Sequence, residues 1–234
     1  MQRRWALYSG ALVACALLAA TTAKAADAPK RSWKGPPLLA LNAAPNLLGT
    51  AATAIRADRF SGSWANAMAD ASGSPLMQRL VAPARQLTPT DKLKYVQSRV
   101  TSSVRWISDT TEWGKHDYWA TANETLQHGA GDNEDRAIVK MHALRALGFS
   151  SNDLFLTLAR DRVGGPITVL TARLNGRYYI LDDTGGAPFL ADSRRNEFEP
   201  ILSFGSTAAW IHKRLAPVTA PMAALKTAMA KKAQ

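Results

Sequence analysis

The chain has 234 residues, 47% of them hydrophobic and 20% charged, with 15 glycines and 12 prolines. That composition excludes a disordered tail, a collagen-like repeat and a low-complexity polymer, and it supplies apolar mass for one domain or two small ones. A formal charge of +11 predicts a basic surface without naming a partner.

Residues 1–25 predict an export signal: Arg3 and Arg4 at the start, a largely apolar run from Trp5 to Ala20, and the small-residue cleavage site Ala23-Lys24-Ala25. The run falls short of the roughly 20 residues of a membrane span, and no later run matches it. The expected product is a soluble periplasmic or secreted protein. Leu12-Val13-Ala14-Cys15 offers a rival lipobox that would lipidate Cys15, but the apolar run continues past it to Ala20. Cys15 is the single cysteine, so on either processing route the folded body has no cysteine nucleophile, thiolate ligand or internal disulfide. A basic exported protein would meet anionic lipid, polysaccharide or acidic peptides. No interleaving of aromatic and basic residues points to nucleic acid.

Residues 26–58, rich in Ala, Pro, Asn and Lys, read as a leader segment, 59–215 as the domain and 216–234 as a basic Ala/Lys-rich tail. A helix is expected near Phe60 and Trp64. Another is expected from Thr90 to about Ser108, entered through Thr88-Pro89-Thr90-Asp91, with Leu93, Val96, Val100, Val104 and Ile107 as its apolar stripe. The clearest helix starts at Asp132, with Asp135 as a capping-box-like partner. Ala137, Ile138, Met141 and Leu144 form its apolar face, Leu147 lies beside them, Arg145 sits at the edge and Gly148 stops it. Gly129-Ala130-Gly131 gives it a flexible approach.

The period then changes to two. Strands are expected over 154–158, 167–173 and 177–182, the last two joined by Asn175-Gly176, a strong hairpin signal. A two-residue turn pairs residue 174 with 177, so Val169 faces Asp182 and Ile167 faces Thr184. Residues 167, 169 and 182 then share one face, with Ile167 and Asp182 diagonal at roughly 7–8 Å. In the tail, Met222, Leu225 and Met229 either line a short basic helix suited to a membrane surface or belong to a solvated end.

The stretch Asp117-Tyr118-Trp119-Ala120-Thr121, Glu124-Thr125-Leu126 and Gly129-Ala130-Gly131-Asp132-Asn133-Glu134-Asp135 resembles the bacterial transglutaminase-like cysteine peptidases, an exported group that includes adhesin-cleaving, biofilm-release enzymes. The resemblance extends through Ala137, Ile138, Lys140, Leu144-Arg145, Leu147-Gly148, Leu181-Asp182, Phe198-Glu199-Pro200 and Trp210, covering roughly residues 58–214. Ala122 stands where the family has proline. The resemblance implies an α+β fold with a papain/transglutaminase-like core: N-terminal helices and a motif helix packed on an antiparallel β-sheet. It implies a cysteine at the helix N-terminus, where the thiol pKa falls, and a histidine and an aspartate on the sheet to take and orient its proton.

Carried onto this chain, the cysteine position falls on Asn133, the histidine position on Ile167 or a neighbour, and the aspartate position on Asp182. An asparagine amide is no nucleophile at neutral pH, and isoleucine moves no proton. Of His116, His128, His142 and His212, His128 is nearest the motif in sequence, whereas His142 lies too far along the helix from Asn133.

Asp132, Glu134 and Asp135 are either helix caps or ligands for calcium, a hard cation that takes several oxygens. The resemblance implies calcium, with Asp132 and Glu134 the stronger choices. The leading reading is therefore an exported pseudoenzyme that binds a peptide or protein segment, such as a surface adhesin, in a former active-site cleft, with calcium beside it. An active hydrolase or transferase with a relocated nucleophile is one alternative. An envelope-associated structural protein docked through its tail is the other.

Overall fold

The computed structural model describes residues 44–55, 60–194 and 197–215; the expected export signal, Cys15 and the tail lie outside them. In chain order the elements are β1 (Thr50–Ile55), α1 (Ser61–Ala67), α2 (Pro75–Val81), α3 (Pro89–Ser103), β2 (Arg105–Trp106), α4 (Asp109–Trp113), α5 (Ala122–His128), β3 (Ala130–Gly131), α6 (Asn133–Ala146), β4 (Leu154–Asp161), β5 (Pro166–Leu174), β6 (Arg177–Leu181), β7 (Phe189–Leu190), β8 (Phe198–Phe204) and β9 (Ala209–Arg214). Seven strands form one antiparallel sheet in the order β1-β9-β8-β4-β5-β6-β7, and β2 and β3 form a separate parallel pair. The architecture is the α+β arrangement expected, helices against an antiparallel sheet. Among the described residues no helix is long and apolar enough to cross a membrane.

Local chemistry sets the helix starts. The Thr88 hydroxyl accepts from Asp91 N–H and Pro89 sits in the first turn of α3. Leu93, Val96 and Val100 are buried as the stripe predicts. The helix ends at Ser103, not near Ser108, because the chain leaves it to pair with β3: Arg105 N–H donates to Gly129 O at 2.9 Å and Ile107 N–H to Gly131 O at 3.2 Å. Gly129-Ala130-Gly131 is thus a paired strand rather than a loose approach, with Gly129 in the left-handed region as the C-cap of α5.

In α6 the residues from Asp135 to Leu144 are all buried. It is a central helix against α2, α3, α5, β4 and β5, not a surface helix with one apolar face. Its two buried cations, Arg136 and Lys140, are met by one distant acid. Arg136 Nη1 lies 3.3 Å and Lys140 Nζ 3.0 Å from the carboxylate of Asp183, and Lys140 also donates to Asp182 O at 2.6 Å.

The inner face of the sheet meets the helices through Leu154, Leu156, Leu170, Ala172, Leu181 and Phe204. The outer face is covered by chain as well: Val169, Ile180 and Phe198 pack with Leu47 and Leu48, and Phe155 and Trp210 with Ala44 and Ala52. The segment read as leader therefore supplies an edge strand and an outer cover. Asn46 Oδ1 accepts from Ala52 N–H at 2.8 Å and Leu47 O from Thr50 N–H at 3.0 Å, which withholds two edge donors from foreign strands. Residues 44–215 contain 20 of the 29 basic residues and 17 of the 18 acids. The positive excess thus lies mostly at the two ends of the sequence rather than in the domain.

A row of polar side chains crosses the outer face inside the packing. Thr171 Oγ1 lies 3.0 Å from Thr157 Oγ1, which lies 3.0 Å from Ser203 Oγ. Ser203 Oγ lies 2.8 Å from His212 Nε2, and His212 Nδ1 lies 2.9 Å from Thr50 Oγ1. The Thr50 hydroxyl donates to Leu47 O at 2.8 Å. That last bond fixes the direction of the others: Thr50 accepts from Nδ1–H, so Nε2 accepts from Ser203.

Candidate functional site

The hairpin between β5 and β6 has the expected register, Leu174 opposite Arg177 through Leu170 opposite Leu181, with Asn175 and Gly176 both at positive φ. Two site assignments change nonetheless. Alternation along β5 turns residues 168, 170 and 172 toward the helices, so Ile167 packs on the outer face with Val169, Ile180 and Phe198. The side chain aimed at the start of α6 belongs to its neighbour: the Thr168 hydroxyl donates to Glu134 Oε1 at 2.8 Å.

Asp182 also departs from the predicted face. β6 ends at Leu181 and the chain turns inward, where Asp182 O and Oδ1 accept from Gln97 Nε2 at 2.8 and 3.2 Å. Oδ1 also accepts from Thr184 N–H and Oγ1–H. Ile167 and Asp182 consequently do not share a face.

Asn133 opens α6, and its Oδ1 accepts from the Trp106 indole at 3.2 Å. Trp106 is 54% exposed. The Asp132 carboxylate caps the helix, accepting from Glu134 N–H at 3.0 Å and Asp135 N–H at 3.4 Å. The other half of a capping box does not form, because Asp135 Oδ1 accepts instead from Ala120 N–H at 2.8 Å.

Three carboxylates converge beside this helix start. Asp109, Asp132 and Asp135 each offer an oxygen within 4.8 Å of the others. Asp109 Oδ2 accepts from Tyr118 N–H, while Asp109 Oδ1 and Asp135 Oδ2 are buried with no hydrogen-bond partner. Burial, reinforced by the neighbouring Glu134 and Asp135 charges, pushes the Asp132 carboxyl up to about 9. Burial, with repulsion from Asp109 and Glu134, pushes Asp135 to about 7. Burial also raises Asp109. Buried carboxylates that repel one another and keep free oxygens fit a hard divalent cation of calcium type. Of the residues expected to bind metal, Asp132 and Asp135 are in this cluster. Glu134 is directed to Thr168, and Asp109 is the member that sequence reasoning missed, since no spacing signal links it to the motif.

Gly131 makes the close approach possible. A Cβ there would lie 2.7 Å from Asp135 Cβ and 2.8 Å from its Oδ2. Gly131→Ala is accordingly expected to destabilise the fold by about 2 kcal/mol, read from the urea midpoint at unchanged slope.

The histidines are elsewhere. His116 is exposed, and His128 Nδ1 lies 3.2 Å from Glu112 Oε1. His142 Nε2 lies 2.7 Å from Ala67 O, and His212 is in the outer-face row. None is hydrogen-bonded to Asn133, Thr168 or Asp182. Ser203 and His212 form a hydroxyl–imidazole pair, but Ser203 is fully buried and the next group is a threonine hydroxyl rather than a carboxylate.

A family model described as bacterial transglutaminase-like cysteine proteinase matches residues 74–197. Legionella pneumophila LapG is similar in structure, with a TM-score of 0.52 and 26% identity over 65% of this chain and 85% of that one. An EGTA-treated form of LapG matches with a TM-score of 0.50 and 26% identity over 58% and 73%. A calcium-bound form gives 0.51 and 24% over 65% and 87%. No curated protein matches the chain.

Proposed function

The chain belongs to the bacterial transglutaminase-like cysteine proteinases, and from that premise we propose that it is an exported member that binds a polypeptide segment in the family's cleft without cleaving it, with calcium held beside the cleft. The observation that carries this reading is the absence of a thiol: Cys15 is the single cysteine and precedes the domain. Asn133 stands at the helix start where the nucleophile is required, and no histidine is bonded there to serve as base. Removal of nucleophile and base together leaves only the contributions of binding and oxyanion contacts. The Thr168–Glu134 bond supports the same conclusion, since it ties α6 to the sheet where a thiolate–imidazole pair would otherwise do so.

Calcium is supported by the free buried oxygens of Asp109 and Asp135 and by the calcium-bound form of LapG. Asp109, Asp132 and Asp135 would hold the ion, whose role is to neutralise them and join their two backbone segments. Export rests on the signal-like residues 1–25, and a surface adhesin segment is the partner that the family resemblance suggests.

The test is an assay of the chain on adhesin-type peptides with calcium present. The expected result is no turnover, with saturable peptide binding that calcium strengthens. Turnover abolished by Asn133→Ala would overturn the reading, and turnover that survives Asn133→Ala would overturn it in favour of a relocated nucleophile.

A further inference from the structure

We infer that Glu112 and His128 form a metal site of their own, which takes a transition metal of zinc type and shares no ligand with the three carboxylates. Glu112 belongs to α4 and His128 to the last turn of α5. His128 Nδ1 and Glu112 Oε1 lie 3.2 Å apart. A charge-assisted N–H···O⁻ bond is shorter, about 2.7–2.9 Å. Two ligands of one tetrahedral zinc, each about 2.0–2.1 Å from the metal, lie about 3.3 Å from each other. The observed separation fits that edge of a zinc tetrahedron.

The burial of the pair points the same way. The Glu112 side chain is only 8% exposed, and its second oxygen, Oε2, is buried with no hydrogen-bond partner. Among the described residues no Lys or Arg pairs with this carboxylate, and His128 supplies a positive charge only when protonated. A carboxylate so placed is short of compensation. A divalent ion supplies it while the imidazole stays neutral. The His128 side chain is 48% exposed, so the site opens to solvent on that side. The opening gives an ion its entry path and leaves room for water in the remaining coordination positions.

Although half exposed, the imidazole is held in place. Trp113 packs on it with ring centroids 4.6 Å apart, and Tyr118 packs on Trp113 at 5.1 Å. A ring already ordered in the free protein spares the entropy that a loose surface histidine would lose on ligation. The donor set then selects the metal. Imidazole nitrogen beside a carboxylate suits zinc and its transition-metal neighbours, whereas calcium and magnesium take oxygen ligands. A bound ion would tie the five-residue α4 to the end of α5.

The test titrates zinc chloride into the full chain by calorimetry, with calcium chloride in excess so that carboxylates preferring calcium are not counted. The expected result is a zinc-binding event of micromolar affinity. Glu112→Gln and His128→Gln should each weaken it at least tenfold, and His116→Gln, at an exposed histidine outside the pair, should leave it unchanged. Circular dichroism establishes that each variant is folded; His128 is half exposed, and the glutamine at 112 keeps an oxygen toward it. No zinc binding up to millimolar concentration overturns the site. So does zinc affinity that both variants retain. Affinity lost in Asp109→Asn but kept in Glu112→Gln and His128→Gln assigns zinc to the carboxylate cluster and overturns the proposal likewise.

Discussion

Calcium at a hundredfold excess over its dissociation constant is expected to raise the Tm of this chain by about 5–10 °C, and EGTA to reverse the rise. The magnitude follows from mass action. A ligand that binds only the folded state adds about 2.7 kcal/mol at that excess, and a domain of this size moves about 2–4 °C per kcal/mol. Binding is confined to the folded state because Asp109 reaches Asp132 and Asp135 only through the β2–β3 pairing.

The variants separate this mechanism from ordinary stabilisation. Asp109→Asn retains an oxygen to accept Tyr118 N–H, a bond that Asp109 Oδ2 makes here, and it removes a carboxyl from a set that burial and mutual repulsion already push toward the protonated form. Without calcium it should be at least as stable as the parent, and with calcium it should fail to gain. Loss of the response together with loss of apo stability would point to a carboxylate needed for packing instead. Asp135→Asn should behave alike if the replacement amide keeps an oxygen toward Ala120 N–H, the bond made by Asp135 Oδ1.

What could be read in the sequence was local. Thr88-Pro89-Thr90-Asp91 and Asp132 start helices through bonds spanning two or three residues, and Asn175-Gly176 fixes the hairpin register by its own backbone angles. The misreadings arise where distant chain decides. Residues 105–106 leave the helical pattern because β3 is beside them. The single apolar face expected of α6 becomes a helix buried from Asp135 to Leu144, with Asp183 arriving from beyond β6 to meet Arg136 and Lys140. The inward position on β5 differs from the inferred one by a single residue, and a one-residue change reverses the face in a strand. A correct register therefore coexisted with the wrong facing residue, because the inferred face was extended past Leu181, where β6 stops. Asp109 belongs to the same class: its meeting with Asp132 exists in the fold and nowhere in the spacing.

A second large effect should appear in acid. His212 is nearly buried among hydroxyls on the outer face, and burial pushes its pKa down to about 4. Burial accounts for this shift, with no charged neighbour contributing to it. An imidazole at the ordinary value near 6.5 in the unfolded chain takes up a proton first as pH falls, so the unfolded state binds more protons between 6.5 and 4. The contribution to stability is whole above 6.5, declines through that window and is lost below the folded value. The window corresponds to about 3 kcal/mol. His142 adds a loss in the same direction, since burial lowers its pKa too, which is why the comparison must be made between variants. His212→Asn should lower the urea midpoint at pH 7, because the bonds to Thr50 and Ser203 are disturbed. Between pH 6.5 and 4 its stability should fall by about 3 kcal/mol less than that of the parent. Parallel curves for the two proteins across that interval would show that His212 is not the group being protonated. A parent curve steeper than the variant would locate the acid sensitivity at the bonds by which β8 and β9 hold the covering segment at Thr50 and Leu47.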